Sequence, residues 1–125
     1  MNNPTILLIE DLPLHAALAI KILEHAGFTV IWKESAELGL EELQKITPNL
    51  FLIDISLPGM SGVEFVQELK KNPLLASIHK IAITAHATQG TKEMLLAQGF
   101  TDYLTKPCTS ALLISTVKKN LKIKE

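Results

Sequence analysis

The sequence has a single cysteine, almost no net charge and no long apolar run. Cys108 has no partner for a disulfide within the chain, and such sparse cysteine suits the reducing cytosol. The formal net charge at pH 7 is only −1, so no polybasic surface for nucleic acid or anionic membrane is expected. No apolar stretch approaches the roughly 18 residues of a membrane-spanning helix, and no secretory signal begins the chain. We therefore expect a cytoplasmic globular protein without direct nucleic-acid or membrane binding.

Apolar residues make up 47% of the 125 and fall in short runs that alternate with helix-like segments. The apolar runs predict strands at residues 6–9, 28–32, 50–53, 80–83 and 101–104. The segments that follow them predict five helices, at residues 13–26, 35–45, 61–71, 91–98 and 109–122. Helices between apolar strands imply parallel pairing through right-handed crossovers, and so a three-layer α/β sandwich in one domain, residues 1–125.

Two local signals mark the ends of the third predicted helix. Ser61 is followed three positions later by Glu64, which predicts a capping box at the amino end. Asn72-Pro73 predicts the stop, because the residue before proline disfavours the helical conformation.

Polar residues fall where the predicted strands end. Glu10 and Asp11 follow the first strand, Asp54 the third and Thr84 the fourth, and Lys106 comes shortly after the fifth. In a parallel sheet these ends lie at one edge, which is where ligands bind in open α/β sheets. Three acids, a hydroxyl and an ammonium are therefore expected to converge.

Such a cluster suits phosphoryl chemistry. Crowded carboxylates repel one another unless a cation intervenes, and oxygen ligands of this kind hold Mg²⁺ or Mn²⁺ together with waters and a phosphate. A carboxylate can attack phosphorus to form an aspartyl phosphate. The ammonium of Lys106 and the hydroxyl of Thr84 would then contact the phosphoryl oxygens, and charge neutralisation is most of what the transfer needs.

Four segments together resemble the signature of response-regulator receiver domains of two-component and phosphorelay signalling. They are IED at residues 9–11, DISLPGMSG at 54–62, TA at 84–85 and YLTKP at 103–107. The resemblance spans residues 5–122 and implies a flavodoxin-like sheet with strand order 2-1-3-4-5. No output domain is expected, so the chain would be a stand-alone regulator or a piece of a longer protein.

The resemblance also implies the roles of the acids. Asp54 would be the phosphoacceptor. Asp11 would bind Mg²⁺ directly, Glu10 would reach it through water, and the backbone carbonyl of Ser56 would complete the protein ligands. Glu10 stands where aspartate is more frequent in the family, a variant that should leave metal binding intact.

The resemblance also implies which residues change their contacts when the domain is phosphorylated. Lys106 would pair with Asp54 at rest and with the phosphoryl group afterwards, and the Lys106–Pro107 peptide is expected to be cis. Thr84 would move to hydrogen-bond the phosphoryl group while Tyr103 turns inward. The switched surface would lie near the fourth strand, the helix at 91–98 and the fifth strand. Ser56 and His86, each two residues after a site residue, occupy positions that influence hydrolysis.

The implied donor is a sensor histidine kinase or a histidine phosphotransfer protein. We expect it to contact the rim of the site, where the residues concerned are Leu12, His15, Ala16, Pro107 and Cys108. This assignment assumes that the first helix turns Leu18, Ala19, Ile22 and Ala26 toward the sheet.

Other interpretations compete with this one. A pseudo-receiver that only docks partners would not need the full set of acceptor, acids, threonine and lysine. A phosphatase of the haloacid dehalogenase type resembles Asp-x-Asp on the first strand, whereas Asp54 is on the third. A flavodoxin-like cofactor binder would need a phosphate loop, but Asp11-Leu12-Pro13 is acidic. The four histidines show no ligand spacing and suit the surface, and Cys108 suits a packed thiol. Apart from its own phosphorylation and dephosphorylation, we expect no enzyme activity.

Overall fold

The structure is a computed structural model that describes residues 3–86 and 88–123. Within these residues the chain forms five strands and six helices. The strands are β1 (Thr5–Ile9), β2 (Thr29–Lys33), β3 (Leu50–Asp54), β4 (Lys80–Thr84) and β5 (Asp102–Thr105). The helices are α1 (Pro13–His25), α2 (Ala36–Glu42), α3 (Gly62–Leu69), α4 (Pro73–Ser77), α5 (Thr91–Gln98) and α6 (Ser110–Leu121).

All five strands are parallel and pair in the order β2-β1-β3-β4-β5. The inner strands β3 and β4 are buried along their whole length, and β1 is buried from Ile6 onward. Their continuous apolar sequences follow from this, because helices cover both faces of the sheet. The predicted three-layer sandwich and the strand order are confirmed.

The two faces of the sheet carry separate apolar cores. On one face, Leu8 and Leu52 pack with Leu23 of α1 and Val117 of α6. On the other face the sheet packs against residues of α2, α3 and α5, which include Ala36, Phe65, Val66 and Leu95. Because each helix returns the chain to the same end of the sheet, the carboxyl ends of all five strands meet at one edge.

The face of α1 that contacts the sheet differs from the prediction. Ala16 and Leu23 are completely buried, whereas Leu18 is 61% exposed. The partly buried residues on this face are Ala19, Ile20, Ile22 and Ala26. The expected burial of Leu18 and the expected exposure of Ala16 are both wrong. Apolar residues occur all round α1, so a period of 3.6 residues does not select one stripe, and the small Ala16 permits close approach to the sheet.

The short helix α4 was not predicted. Asn72 ends the turn after α3 and also caps α4, since its side chain accepts hydrogen bonds from the backbone N–H groups of Leu74 and Leu75. Pro73 stands at the first position of this helix, where a missing N–H costs nothing. The same Asn-Pro pair therefore ends one helix and starts another.

Lys80, the first residue of β4, is fully buried below α4. Its Nζ atom donates hydrogen bonds to the backbone carbonyls of Leu75, Ala76 and Ile78. The ammonium thus supplies donors to carbonyls at the carboxyl end of α4, where partners within the helix run out. In residues 3–86 and 88–123, no helix combines the length and apolar character that crossing a bilayer requires.

Candidate functional site

The acids converge at the carboxyl edge of the sheet. Glu10 follows β1 and Asp54 ends β3; these strands are neighbours with Ile9 opposite Ile53, which places Glu10 beside Asp54. Oxygen atoms of Glu10, Asp11 and Asp54 all lie within 4.8 Å of one another. Glu10 and Asp54 are buried, and Asp11 is half-buried. The strand ends therefore produce a compact acidic pocket.

Lys106 reaches into this pocket from the end of β5. Its Nζ atom lies 2.6 Å from Oε1 of Glu10 and 3.2 Å from Oδ2 of Asp54. The backbone N–H of Lys106 donates to the carbonyl of Thr84 at 2.8 Å, which continues the pairing of β4 with β5. The pairing of β4 with β5 therefore places the ammonium of Lys106 beside the acids.

Burial and pairing act in opposite directions on these groups. Burial alone lowers the pKa of Lys106, but the hydrogen bond that Lys106 donates to Glu10 and the charge of Asp54 together raise that pKa above its ordinary value. Burial raises the pKa of Glu10, although hydrogen bonds from Lys106 and from the N–H of Leu12 oppose the rise. An ionised Glu10 thus carries a desolvation cost that a cation bound at the acids would relieve.

His15, in the first turn of α1, also contacts Lys106. Its Nδ1 atom lies 3.0 Å from Nζ of Lys106 and 3.9 Å from Oε1 of Glu10, and half of its side chain is exposed. The sequence predicted His15 at the rim of the site but provided no signal for this contact, which joins residues 91 positions apart.

The loop after β3 folds back over Asp54. The N–H of Ser56 donates to Oδ1 of Asp54 at 2.8 Å, and the N–H of Met60 donates to Oε2 of Glu37 on α2 at 3.2 Å. Ser61 and Glu64 form the predicted capping box at the start of α3, which is confirmed. These contacts hold the loop that carries the carbonyl of Ser56.

Gly62 allows α3 to begin directly against the backbone of Asp54. A Cβ atom at this position would lie 2.7 Å from the carbonyl oxygen of Asp54 and 2.8 Å from Cα of Ile55. Real Cβ atoms do not approach backbone this closely, so a side chain here would push the helix away from the site. The glycine is required by packing.

Thr84 and Tyr103 lie on neighbouring strands beside the pocket. The hydroxyl of the buried Thr84 donates to the carbonyl of His86 and accepts from its N–H, so it is engaged within its own loop. Tyr103 is half-buried and packs against the core on the α3 side of the sheet. The Lys106–Pro107 peptide bond is cis.

Trp32 is a neighbour of the site that the sequence did not indicate. Trp32 lies on the edge strand β2, opposite Leu8 of β1. Its indole N–H donates to the backbone carbonyl of Glu10 at 2.8 Å. The strand order places β2 beside β1, but the hydrogen bond also depends on the register of the two strands and on the direction of the indole, which only the structure shows. The indole fixes the backbone at the start of the acidic pair.

Four of the five predicted docking residues lie at the surface near the pocket. Leu12, His15 and Pro107 are exposed, and Cys108 is partly buried against the core, where burial raises the pKa of its thiol. Ala16 is buried and is not available to a partner. Further exposed apolar surface on the same helix belongs to Leu14 and Leu18.

A sequence profile of the response regulator receiver domain matches residues 6–118. The chain belongs to this family. It is a receiver domain of two-component signalling, homologous to response regulators and to receiver domains of histidine kinases.

Individual relatives agree with the family. The polar-differentiation response regulator DivK of Brucella ovis is 32% identical over 117 residues, which are 94% of this chain and 95% of that protein. Hybrid signal transduction histidine kinase D of Dictyostelium discoideum is 32% identical over 124 residues, which are 99% of this chain but only 8% of that protein. The receiver domain thus resembles both a whole small regulator and one part of a large kinase.

A solved structure gives the same fold. The receiver domain of a sensor histidine kinase from Pseudomonas aeruginosa superposes with a TM-score of 0.87 at 27% identity, covering 96% of this chain and 98% of that one. That protein has a magnesium ion coordinated in its active site cleft.

Proposed function

We propose that Asp54 accepts a phosphoryl group from a phosphohistidine of a sensor histidine kinase or histidine phosphotransfer protein. The observation that carries the proposal is the surroundings of Asp54. Its carboxylate ends a fully buried strand, has the ammonium of Lys106 at 3.2 Å, and shares a pocket within 4.8 Å with the oxygens of Glu10 and Asp11. A buried carboxylate with this charge environment is suited to become a nucleophile toward phosphorus.

In the proposed step, a carboxylate oxygen of Asp54 forms a bond to phosphorus while the bond between phosphorus and the donor imidazole nitrogen breaks. The electron pair of the broken bond stays on that nitrogen, which takes a proton from solvent. Lys106 neutralises charge on the transferred oxygens, and positioning with charge stabilisation supplies most of the catalysis. The product is an aspartyl phosphate at Asp54.

The acidic pocket fits a divalent cation by its chemistry. The ligands are hard oxygens, and burial already raises the pKa of Glu10. Asp11 and Asp54 would bind Mg²⁺ or Mn²⁺ directly, Glu10 through water, and Ser56 through its carbonyl. The bound ion would supply charge neutralisation for the transferring group.

The signal would leave the site through β4 and β5. Thr84 would exchange its contact with His86 for a phosphoryl oxygen, and Tyr103 would turn inward into the space that Thr84 leaves. The surface formed by β4, α5 and β5 would then differ between the two states and select the downstream protein. Ser56 and His86 would influence how long the phosphoryl group persists.

Labelling with a small phosphodonor tests the proposal. Wild-type protein incubated with acetyl phosphate and Mg²⁺ should gain one phosphoryl mass, and Asp54→Asn should gain none. Asp102→Asn is the matched control. Asp102 is the first residue of β5 and lies at the amino end of the strand, away from the acids, so this variant should be labelled as wild type is. Labelling of Asp54→Asn to the wild-type extent would show that another residue is the acceptor.

A protein donor tests the docking surface. We propose that the donor contacts Leu12, His15, Pro107 and Cys108, together with the exposed face of α1 at Leu14, which is 84% exposed. Leu14→Glu should slow transfer from a phosphohistidine protein and leave acetyl phosphate labelling unchanged. Leu74→Glu on α4 is the control for an exposed leucine away from the site. Equal slowing with both donors would contradict docking through this face.

A further inference from the structure

The ammonium of Lys106 has three neighbours within hydrogen-bonding distance. They are Oε1 of Glu10 at 2.6 Å, Nδ1 of His15 at 3.0 Å and Oδ2 of Asp54 at 3.2 Å. A lysine ammonium has three N–H donors and no acceptor, so this set satisfies all of them. His15 is the only one of the three that is not a carboxylate.

The chemistry of the ammonium sets the role of Nδ1 of His15 in this contact. Because the ammonium can only donate, Nδ1 of His15 is the acceptor of any hydrogen bond between the two groups. A neutral acceptor adds directional hydrogen bonding to Lys106 without adding another negative charge to a pocket that already holds three acids.

The three partners of Lys106 differ in which other groups they would bind under the proposed function. The proposed function assigns Glu10 and Asp54 to the metal, and Asp54 also to the phosphoryl group. His15 has neither assignment, so neither the metal nor the phosphoryl group competes with Lys106 for its Nδ1 atom. The fold supports this geometry, because the buried Ala16 beside His15 lets the first turn of α1 lie close to the sheet.

We propose that His15 is a positioning residue that keeps the ammonium of Lys106 over Asp54 while the carboxylates engage the metal and the phosphoryl group. The inference rests on the proposed function of Asp54 and deepens it. Its effect is on the chemistry of transfer, so it is separable from any contact of His15 with a protein donor.

The test measures the rate of labelling by acetyl phosphate at saturating Mg²⁺, where no protein partner is present. His15→Ala should slow labelling by about tenfold, the order expected for loss of one hydrogen bond to a charged group. His15→Asn should restore most of the rate, because its side-chain oxygen can accept a hydrogen bond much as Nδ1 does. His25→Ala, an exposed histidine at the other end of α1, should label at the wild-type rate.

A double-mutant cycle shows whether His15 acts through Lys106. The variant that combines His15→Ala with Lys106→Ala should be no slower than Lys106→Ala alone, since the group that His15 holds is already absent. Urea unfolding of His15→Ala should match wild type, which excludes a general loss of structure.

Three outcomes would overturn the inference: unchanged labelling in His15→Ala, no recovery in His15→Asn, or fully additive losses in the double variant. If wild type is labelled and Asp54→Asn is not, any of these removes only the role of His15. Failure of wild type to be labelled at all would instead remove the proposed function.

Discussion

Lys106 contacts Glu10 more closely than it contacts Asp54, with Nζ at 2.6 Å from Oε1 of Glu10 and 3.2 Å from Oδ2 of Asp54. The resemblance to the family implied a pair between Lys106 and Asp54, and the structure adds Glu10 as a second and nearer carboxylate. The glutamate side chain has one methylene more than an aspartate would have. Glu10 therefore shares the ammonium with the proposed phosphoacceptor.

Replacing Glu10 should change the titration of Lys106. In Glu10→Gln the pKa of Lys106 should fall, because burial lowers it and the strongest opposing contact has lost its charge. In wild type the folded-state pKa is raised, so the stabilisation from this group is complete below 10.5 and is lost as the pH rises through the folded-state value. Side-chain NMR of Lys106 against pH measures this pKa in wild type and in Glu10→Gln, and urea unfolding against pH measures the stabilisation. Glu24→Gln on α1 is the control, and an unchanged titration in Glu10→Gln would contradict the pairing.

Mg²⁺ should stabilise the domain through the acidic pocket. A ligand that binds only the folded state at 100 times its dissociation constant adds about 2.7 kcal/mol to the free energy of unfolding. We expect a rise of this order in urea unfolding with Mg²⁺, its reversal by EDTA, and its loss in Asp11→Asn. Glu41→Gln on α2 should respond as wild type does. An equal rise in Asp11→Asn would place the ion elsewhere.

Trp32 should report binding at the acids. It is the only tryptophan, and its indole N–H donates to the carbonyl of Glu10, next to Asp11. A cation at the carboxylates changes the field at this hydrogen bond, so the emission should change with Mg²⁺ and have the same midpoint as the backbone amide shifts. Asp11→Asn should remove the change. Emission that stays constant while the amide shifts saturate would show that the indole does not sense the site.

Lys80 should contribute to stability far from the site. Lys80→Met retains most of the apolar stem but removes the donor to three carbonyls, and should lower the free energy of unfolding by about 1–3 kcal/mol. Urea unfolding measures this, with Lys92→Met on the exposed face of α5 as the control. A variant as stable as wild type would show that these hydrogen bonds contribute nothing net.

The difference in unfolding free energy between wild type and Lys80→Met should depend on pH. Burial, and to a smaller extent the charge of Lys70, lowers the pKa of Lys80 below 10.5. The folded state then releases this proton at lower pH than the unfolded state does. Between the lowered pKa and 10.5, the unfolding free energy of wild type should therefore rise with pH relative to Lys80→Met. If the unfolding free energy of wild type relative to Lys80→Met fell with pH over this range, the lowered pKa of Lys80 would be contradicted.

The sequence by itself determined the five strands, their parallel pairing and the positions of the acids, Thr84 and Lys106 at strand ends. Apolar runs of strand length and the alternation with helices are local properties, and so is the capping box of Ser61 and Glu64, which the structure confirms. The residues that compose the acidic pocket were predictable because parallel strands must end at one edge.

Only the tertiary structure decided the rotation of α1 and the contacts made by His15 and Trp32. Apolar residues on every side of α1 leave its orientation to packing, and packing buried Ala16 and exposed Leu18. Hydrogen bonds that join residues as far apart as 15 and 106 depend on distances of a few ångströms between separate elements. Sequence periodicity specifies which face of an element is apolar, but the distances between side chains on different elements arise only when the elements pack together.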